Sequence, residues 1–242
     1  MSRTDLAWLT ERPIAHRGLH DLNHDVWENT LTAFKHAKKK NFAIECDVHL
    51  TADNEVVVFH DDALGRLTGT DGFIWQRSAA EMAALRVGGG RDHPPRLSEV
   101  LDTVDGKVPL IIELKGIAGY DGGLVEAVSR LLESYHGKVA IMSFDHWLVR
   151  QFPKLPDIPA GLTALGTDNK DFEAHFSMLG HGIDFVSYCL AHLPNPFIHY
   201  IQTKLDMPLI TWTVRDEAAM RLSTEHRGQI TFEGFDPEIA VA

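Results

Sequence analysis

Three acidic side chains at the ends of two apolar segments could bind a metal ion. Glu45 and Asp47 are two residues apart in one such segment, and Glu113 follows a purely apolar run. In a β-strand, side chains two residues apart lie on one face, so Glu45 and Asp47 should point together. Converging carboxylates repel one another unless a cation lies between them, and ligand sets made only of oxygen favour Mg²⁺ or Ca²⁺ over zinc. The sequence therefore predicts a site for a hard divalent cation.

The same carboxylates allow a simpler interpretation. Glu45 and Asp47 could form salt bridges with nearby Arg or Lys residues, and Glu113 could pair with Lys115. Charged residues at the ends of apolar strands are costly in a core, which favours a functional site. The spacing alone leaves both interpretations open.

Two histidines are candidates for proton transfer. His16 precedes Arg17 and Gly18, a glycine that permits a tight turn, and His60 precedes an aspartate. Because the chain contains 14 histidines, either one alone is more easily explained as structural. Both are predicted at the ends of strands that meet at the same end of the fold, however. Cleavage of a phosphodiester needs one group that deprotonates the nucleophile and another that protonates the leaving alkoxide.

Neighbouring side chains extend this predicted site. Arg17 and Lys115 could contact phosphoryl oxygens, since a guanidinium can bind two of them at once. Trp212 ends another apolar run, where it could form a wall for a small alcohol or belong to the core. Glu28 and Asn29 precede a helical pattern, so they could cap that helix or order the loop that carries the first histidine.

Short apolar runs alternate with helical patterns along the chain, which predicts parallel βα units. The second and third runs are joined by only a few residues. Parallel neighbours need a crossover of about a dozen residues, so these two runs are predicted to form an antiparallel hairpin. The nine candidate strands are residues 13–18, 43–49, 56–61, 108–115, 139–144, 159–164, 183–190, 208–214 and 229–233.

Setting the hairpin's return strand aside leaves eight strands, and eight βα units predict an α/β fold of the (β/α)8 TIM barrel type. An open doubly wound sheet is the alternative. Helical patterns lie between the strands, at residues 29–40, 123–136, 196–205 and 217–226.

The region after the hairpin is predicted to be a small insertion. Residues 61–97 are rich in Gly, Thr, Asp and Arg, and they would form a cap on the catalytic face of a single domain that spans residues 1–242. Ser78 and Glu81 have the spacing of a capping box, which predicts a short helix at 79–87.

Composition limits the possible partners. The net charge of −11 disfavours nucleic acid and anionic membrane surfaces, so an anionic substrate must meet a local positive patch. No run approaches the ~18 apolar residues of a membrane span, and the first residues lack the apolar core of a secretory signal. We therefore expect a soluble, cytoplasmic protein without stable membrane insertion. Cys46 and Cys189 are predicted to be buried, reduced thiols.

In their order along the chain, these motifs resemble the glycerophosphodiester phosphodiesterase family. The resemblance covers residues 13–214, and it rests on the combination, since each motif is weak alone. The motifs are His16-Arg17-Gly18, Glu28-Asn29-Thr30, Glu45-x-Asp47, His60-Asp61, Glu113-x-Lys115, Ser143-Phe144 and Trp212-Thr213-Val214.

The resemblance implies a TIM barrel and a metal-dependent hydrolase. Such an enzyme converts a small phosphodiester, for example glycerophosphocholine or glycerophosphoethanolamine, into glycerol 3-phosphate and an alcohol. It requires a divalent cation, here Mg²⁺ or Ca²⁺. By this resemblance the metal ligands are Glu45, Asp47 and Glu113, the acid and base are His16 and His60, the phosphate contacts are Arg17 and Lys115, and Trp212 lines the glycerol pocket.

The chain departs from the family pattern at Trp27, where proline is common, and at the end of the last strand, which reads Ile-Thr-Phe-Glu-Gly-Phe-Asp-Pro. These departures bear on the substrate more than on the chemistry. One alternative is a lipid phosphodiesterase similar to phospholipase D or sphingomyelinase D, which would need an apolar or basic rim that the polar insertion gives little sign of. Another is a non-catalytic phosphate-binding protein, which would be expected to have lost one of the site residues.

Overall fold

The computed structural model describes residues 6–154 and 157–239. Its centre is a nine-stranded sheet. The strands are β1 (Ile14–Ala15), β2 (Ala43–Leu50), β3 (Val56–Val58), β4 (Leu110–Leu114), β5 (Val139–Ser143), β6 (Ala160–Ala164), β7 (Phe185–Cys189), β8 (Leu209–Val214) and β9 (Gln229–Phe232). Eight parallel strands close into a barrel, because β1 pairs with both β9 and β2. All nine predicted strands are present, and closure confirms the TIM barrel over the open sheet.

The predicted hairpin is also confirmed, since β2 and β3 are antiparallel. Val48 of β2 pairs with Leu114 of β4 and with Val58 of β3, so β3 lies on the opposite edge of β2 from β4. This is the edge that β1 occupies lower down, at Ala43 and Ile44. The return strand therefore continues the wall of the barrel above the end of the very short β1.

Helices pack around the barrel. The helices are α1 (Leu31–Lys39), α2 (Gly65–Thr68), α3 (Ala79–Ala84), α4 (Leu97–Val104), α5 (Leu124–Leu132), α6 (His146–Val149), α7 (Asn169–Met178), α8 (Pro196–Lys204) and α9 (Glu217–Glu225). The four predicted between strands are present as α1, α5, α8 and α9, while α2, α4, α6 and α7 were not predicted from the sequence. No helix in the described ranges is long and apolar enough to cross a membrane.

Alternation along the strands separates two apolar cores. On β2, Ile44, Cys46 and Val48 face outward into the large core between strands and helices. Inside the barrel a smaller core fills only the lower part; its buried members are Trp8, Leu9, Ile14, Ala43, Ile111, Ala140, Met142, Phe185 and Ile210. Inward-facing residues nearer the carboxyl ends of the strands are mostly polar. The barrel interior is therefore filled by apolar side chains in its lower part and lined by polar side chains in its upper part. Cys46 is a buried free thiol, and Cys189 is a partly buried one.

Residues 61–97, predicted to be an insertion and called the insertion below, contribute to a small separate core that includes Phe59, Leu67 and Met82. The predicted capping box is present, with Ser78 and Glu81 as partners, but α3 ends at Ala84. At Gly88, which has φ of 60°, a Cβ would lie 2.1 Å from the ring of Trp27, so only glycine fits. That residues 61–97 form an insertion within a single domain of residues 1–242 stays a prediction.

Candidate active site at the carboxyl end of the barrel

A cavity of about 330 Å³ opens at the carboxyl ends of the barrel strands. The structure brings together all the residues that the sequence predicts for the site, although they come from five separate segments of the chain. The predicted residues that line the cavity are His16, Arg17, Glu45, Asp47, His60, Glu113, Lys115 and Trp212. Their proposed roles stay predictions, whereas their common location is a property of the fold.

Strand register explains why the three carboxylates converge. Asp47 on β2 and Glu113 on β4 are register partners, and Glu45 precedes Asp47 on the same inward face. One oxygen from each of the three side chains lies within 4.8 Å of the others. All three residues are buried, with exposures of 5% or less. This carboxylate cluster could hold a metal ion.

The salt bridges foreseen as the simpler interpretation are also present in part. Lys115 Nζ lies 3.1 Å from Asp47 Oδ1 and also contacts the Glu113 carboxylate. Arg17 Nε lies 3.4 Å from Asp47 Oδ2. Glu45, however, accepts a hydrogen bond from the backbone N–H of Arg17, at 2.9 Å, and has no Lys or Arg side-chain partner among the described residues. The two cations therefore do not balance the cluster.

The pKa values follow from this imbalance. Burial raises the pKa of Glu45 well above its ordinary value, and the nearby charges of Asp47 and Glu113 raise it further. Burial also raises the pKa of Glu113, against the effect of Lys115. Burial would raise the pKa of Asp47 too, but Lys115 and Arg17 outweigh it and hold that pKa below its ordinary value. Further positive charge would favour ionisation of all three carboxylates together, so the site fits a divalent cation.

His16 follows β1 and is held by a carboxylate from the far end of the chain. Its backbone N–H donates to the carbonyl of Phe232 in β9. Its ring Nδ1–H donates to Glu233 Oε2 at 2.5 Å. Glu233 Oε1 in turn lies 2.9 Å from Nε and 2.7 Å from a terminal nitrogen of Arg215. Glu233 and Arg215 were not predicted as site residues, although the ending of the last strand was noted as unusual.

The chain turns sharply after His16. Arg17 has φ of 55° and Gly18 has φ of 81°. A Cβ on Gly18 would lie 2.9 Å from atoms of both Ala33 and Phe34 in α1, so glycine is required there. This turn places the Arg17 guanidinium beside the carboxylate cluster.

His60 is held by its neighbour in sequence. It follows β3, where Phe59 donates its backbone N–H to the carbonyl of Asp47 at 3.0 Å. The ring Nδ1–H of His60 donates to Asp61 Oδ1 at 2.7 Å. Arg66 from the insertion contacts both oxygens of Asp61, at 2.8 and 2.6 Å. His49, which follows Glu45 and Asp47 on the same face of β2, donates from Nε2 to the His60 carbonyl at 3.1 Å, so it supports the hairpin.

Both cavity histidines are shifted toward the neutral form. Burial lowers the pKa of His16, and the hydrogen bond that the ring donates to Glu233 opposes but does not cancel this effect. Burial likewise lowers the pKa of His60, against the attraction of Asp47. With Nδ1–H donated to a carboxylate, each neutral ring keeps Nε2 as its free proton acceptor.

Glu28 and Asn29 order the site instead of capping a helix. Thr30 is the N-cap of α1. Glu28 accepts hydrogen bonds from Arg17 at 2.6 Å and from Arg66 at 2.8 and 2.9 Å. Asn29 Nδ2 donates to Asp47 Oδ2 at 2.9 Å. The motif thus fixes both a guanidinium and a carboxylate of the cavity.

Trp212 forms part of the cavity wall and does not belong to the apolar core. Its ring packs edge-on against Phe144, with centroids 5.3 Å apart. Lys115 Nζ lies 5.7 Å from the Phe144 centroid, so the aromatic wall is continuous with the cationic side chains. The position of Trp212 therefore favours a role in the cavity wall over a role in the core.

The fold and this cavity define a class of protein, a (β/α)8 barrel with histidines, carboxylates and cations gathered at the carboxyl ends of its strands. Residues 16–227 match the Glycerophosphoryl diester phosphodiesterase family, and the chain belongs to that family.

Individual relatives agree with this placement. A glycerophosphodiester phosphodiesterase from Caldanaerobacter subterraneus subsp. tengcongensis is 35% identical over 161 residues, which are 62% of this chain and 65% of the relative. A lysophospholipase D from Homo sapiens is 32% identical over 136 residues, 51% of this chain and 41% of that protein. The chain spans just under two thirds of the length of the first of these curated relatives.

Solved structures share the fold. A phosphodiesterase from Oleispira antarctica, solved in complex with the product sn-glycerol-3-phosphate, superposes with a TM-score of 0.83 at 21% identity. The superposition covers 96% of this chain and 97% of that one. At this identity the comparison supports the fold.

Proposed function

We propose that this protein hydrolyses glycerophosphodiesters to glycerol 3-phosphate and an alcohol in a metal-dependent reaction. The observation that carries the proposal is the meeting of three buried carboxylates with two carboxylate-held histidines in one cavity. The name of the Caldanaerobacter relative and the product bound to the Oleispira phosphodiesterase support the substrate class. Glycerophosphocholine and glycerophosphoethanolamine are the substrates that we expect.

Glu45, Asp47 and Glu113 would hold the cation, which we propose to be Mg²⁺ or Ca²⁺. When bound, such an ion polarises phosphoryl oxygens and neutralises their negative charge. Two observations support this assignment: the excess negative charge of the carboxylate cluster, and the lack of a Lys or Arg side-chain partner for Glu45 among the described residues.

Arg17 and Lys115 would bind the phosphoryl oxygens. Each is already fixed before substrate arrives, Arg17 by Glu28 and Lys115 by Asp47 and Glu113. Charges that are held in position need little reorganisation during the reaction, so they stabilise the transition state more than the mobile dipoles of bulk water would. They also form the local positive patch that an acidic protein needs for an anionic substrate.

His16 and His60 would transfer protons. One Nε2 removes a proton from the glycerol 2-hydroxyl or from water, and the other histidine, once protonated, gives its proton to the departing alkoxide. Glu233 and Asp61 hold the Nδ1 atoms, so that Nε2 of each ring is free for this exchange.

The proposal is tested by measuring release of glycerol 3-phosphate from glycerophosphocholine with added Mg²⁺ or Ca²⁺, with a chelator, and with the His16→Ala variant. We expect chelation and the substitution each to abolish most of the release. His199→Ala, an exposed histidine on the outer helix α8, is the matched control and should retain activity. Release that survives both chelation and loss of His16 would reject the mechanism.

A second candidate, a lipid phosphodiesterase, is favoured by an exposed group of aromatic side chains that the sequence did not lead us to expect. Phe73, Trp75 and Tyr120 form a stack, with ring centroids 4.6 and 5.0 Å apart. Phe73 is 40% and Tyr120 56% exposed. The stack joins the insertion to the loop after β4, at the carboxyl end of the barrel, where an acyl chain could lie against it. Faster hydrolysis of lysophosphatidylcholine than of glycerophosphocholine would favour this candidate.

A further inference from the structure

The exposed stack of Phe73, Trp75 and Tyr120 is carried by two segments that begin at residues of the cavity. Tyr120 is in the loop that follows Lys115. Phe73 and Trp75 belong to the insertion, which begins directly after His60. Exposed aromatic faces beside a cavity are suited to contact part of a ligand, and the charge around them decides which kind of group they attract.

Two aspartates beside the stack are fixed by hydrogen bonds. Asp145 directly follows a residue of the cavity wall and accepts a hydrogen bond from the backbone N–H of Gly116 at 2.6 Å. Asp121 is next to Tyr120 and accepts one from the indole N–H of Trp147 at 2.6 Å. Both bonds join the loop after β4 to the segment after β5, so they hold the two carboxylates in place near the stack.

A third aspartate, Asp62, comes from the insertion. Burial raises the pKa of Asp145, and the nearby charges of Asp121 and Asp62 raise it further, against the hydrogen bond from Gly116 and the charge of Lys115. The three carboxylates are thus close enough to repel one another. Within the parts of the chain that the structure describes, none of them has a Lys or Arg ion-pair partner. An aromatic surface with this excess of negative charge is complementary to a cation.

The topology places the stack on the opposite side of the barrel from Trp212. Trp212 is on β8, and β4 is four strands away from β8 in either direction around the barrel. Arg17 and Lys115 would hold the phosphate between these two sides. The family resemblance assigns the glycerol part to the side of Trp212, so the leaving alcohol would extend toward the loop after β4 and the insertion.

We propose that the stack and the three aspartates beside it form a subsite for the leaving alcohol, and that this subsite selects a cationic alcohol, above all a quaternary ammonium such as choline. The faces of Trp75 and Tyr120 would attract the cation, and a quaternary ammonium gives up water more easily than a primary one. An acyl chain would gain nothing from the carboxylates. The proposal rests on the proposed function for the presence of a phosphodiester. It adds which alcohol the protein prefers and which residues decide this.

The test compares glycerophosphocholine with the neohexanol ester of glycerol 3-phosphate, which has the same shape but carries a carbon atom in place of the quaternary nitrogen. Both diesters are titrated, at one fixed Mg²⁺ concentration, into the full chain with His16→Ala, so that neither is consumed. We expect glycerophosphocholine to bind about three- to tenfold more tightly. Adding Trp75→Leu should reduce this preference to less than about twofold, because the side chain stays apolar but loses its aromatic face.

Tyr200→Leu is the matched control, since Tyr200 is an aromatic residue that is 40% exposed on the outer helix α8. It should keep the full preference. Asp121→Asn removes a charge but keeps an oxygen for the indole N–H of Trp147. It should lower the preference about two- to threefold, and this loss should shrink in high salt. Tyr120→Leu serves if Trp75→Leu does not fold.

The proposal is overturned if the chain binds both diesters equally. Tighter binding of the neohexanol diester would also overturn it, because the stack would then take an apolar group such as an acyl chain. The same holds if Trp75→Leu and Tyr120→Leu keep the preference, or if Tyr200→Leu loses it.

The titration needs no turnover, so its outcome is separate from that of the proposed function. A protein that shows the preference but, with His16 intact, releases no glycerol 3-phosphate from either diester would reject the proposed function and retain the subsite.

Discussion

The two histidines of the cavity differ in how their rings are held, one by a partner distant in sequence and the other by a neighbouring residue. His16 ends a barrel strand, its side chain is 14% exposed, and its carboxylate partner Glu233 is 217 residues away in sequence. His60 lies on the returning hairpin, its side chain is 31% exposed, and its partner Asp61 is the next residue. The orientation of His16 therefore depends on closure of the barrel between β1 and β9. The orientation of His60 depends on local geometry and on an arginine from the insertion.

Removal of either imidazole should lower kcat more than any other substitution considered below. We expect His16→Ala and His60→Ala each to lower kcat by about 10²- to 10⁴-fold, because one proton transfer loses its catalyst. The double variant should be little slower than the worse single variant, since the two groups act in one step. Steady-state kinetics on glycerophosphocholine measures this. Full multiplication of the two effects would show that the histidines act independently.

Substitution of the two carboxylate partners, Glu233 and Asp61, should affect kcat to different extents. Glu233→Gln should lower kcat by on the order of 10²-fold, and Asp61→Asn by about tenfold, because the more buried partner determines its ring more strictly. Glu233 raises the pKa of His16, so its loss should lower that pKa further. If His16 is the base, the acidic limb of the pH–kcat profile should move to lower pH.

A profile that keeps its position in Glu233→Gln, with reduced kcat, would argue that Glu233 holds the loop and does not set the protonation of His16. Glu233→Asp, which retains the charge on a shorter side chain, should keep the wild-type position of the limb.

Glu28 connects the two sites, since it accepts hydrogen bonds from Arg17 beside His16 and from Arg66, which holds Asp61. Burial would raise the pKa of Glu28, but Arg66 and Arg17 lower it to about 2. A lowered carboxylate pKa stabilises the fold above the ordinary value of 4.5, and this contribution is lost as the pH falls toward 2.

Glu28→Gln should therefore lower the free energy of unfolding by about 1–3 kcal/mol at pH 7, and by progressively less below pH ~4.5. Urea denaturation at several pH values measures the difference from wild type. The exposed Glu133→Gln is the control. A difference that does not change with pH would mean that Glu28 acts by packing and not by charge.

The smallest effect is expected at Arg66, whose side chain is 45% exposed. Arg66→Ala should lower kcat by about two- to fivefold, because exposed ion pairs contribute little and Asp61 can still hold His60. Arg86→Ala, an exposed arginine of the insertion that contacts backbone carbonyls, is the control. The Arg66 effect should shrink in high salt, since screening weakens the ion pair in wild type.

Local pattern determined much of this protein. The spacing of apolar residues predicted every barrel strand and the hairpin, because alternation and short connections constrain a chain within a few residues. The same alternation placed Glu45 and Asp47 on one face. The hydrogen bond between His60 and Asp61 is likewise local, because the two residues are adjacent in sequence.

Other features exist only in the closed barrel. Glu233 reaches His16 because β9 pairs with β1, and Trp212 lies across the cavity from Lys115 because β8 lies opposite β4. The stack of Phe73, Trp75 and Tyr120 joins two segments that are far apart in sequence. Periodicity states which face of a strand a side chain occupies, but contacts across the barrel depend on the number of strands and their register. These are decided by the packing of the whole chain.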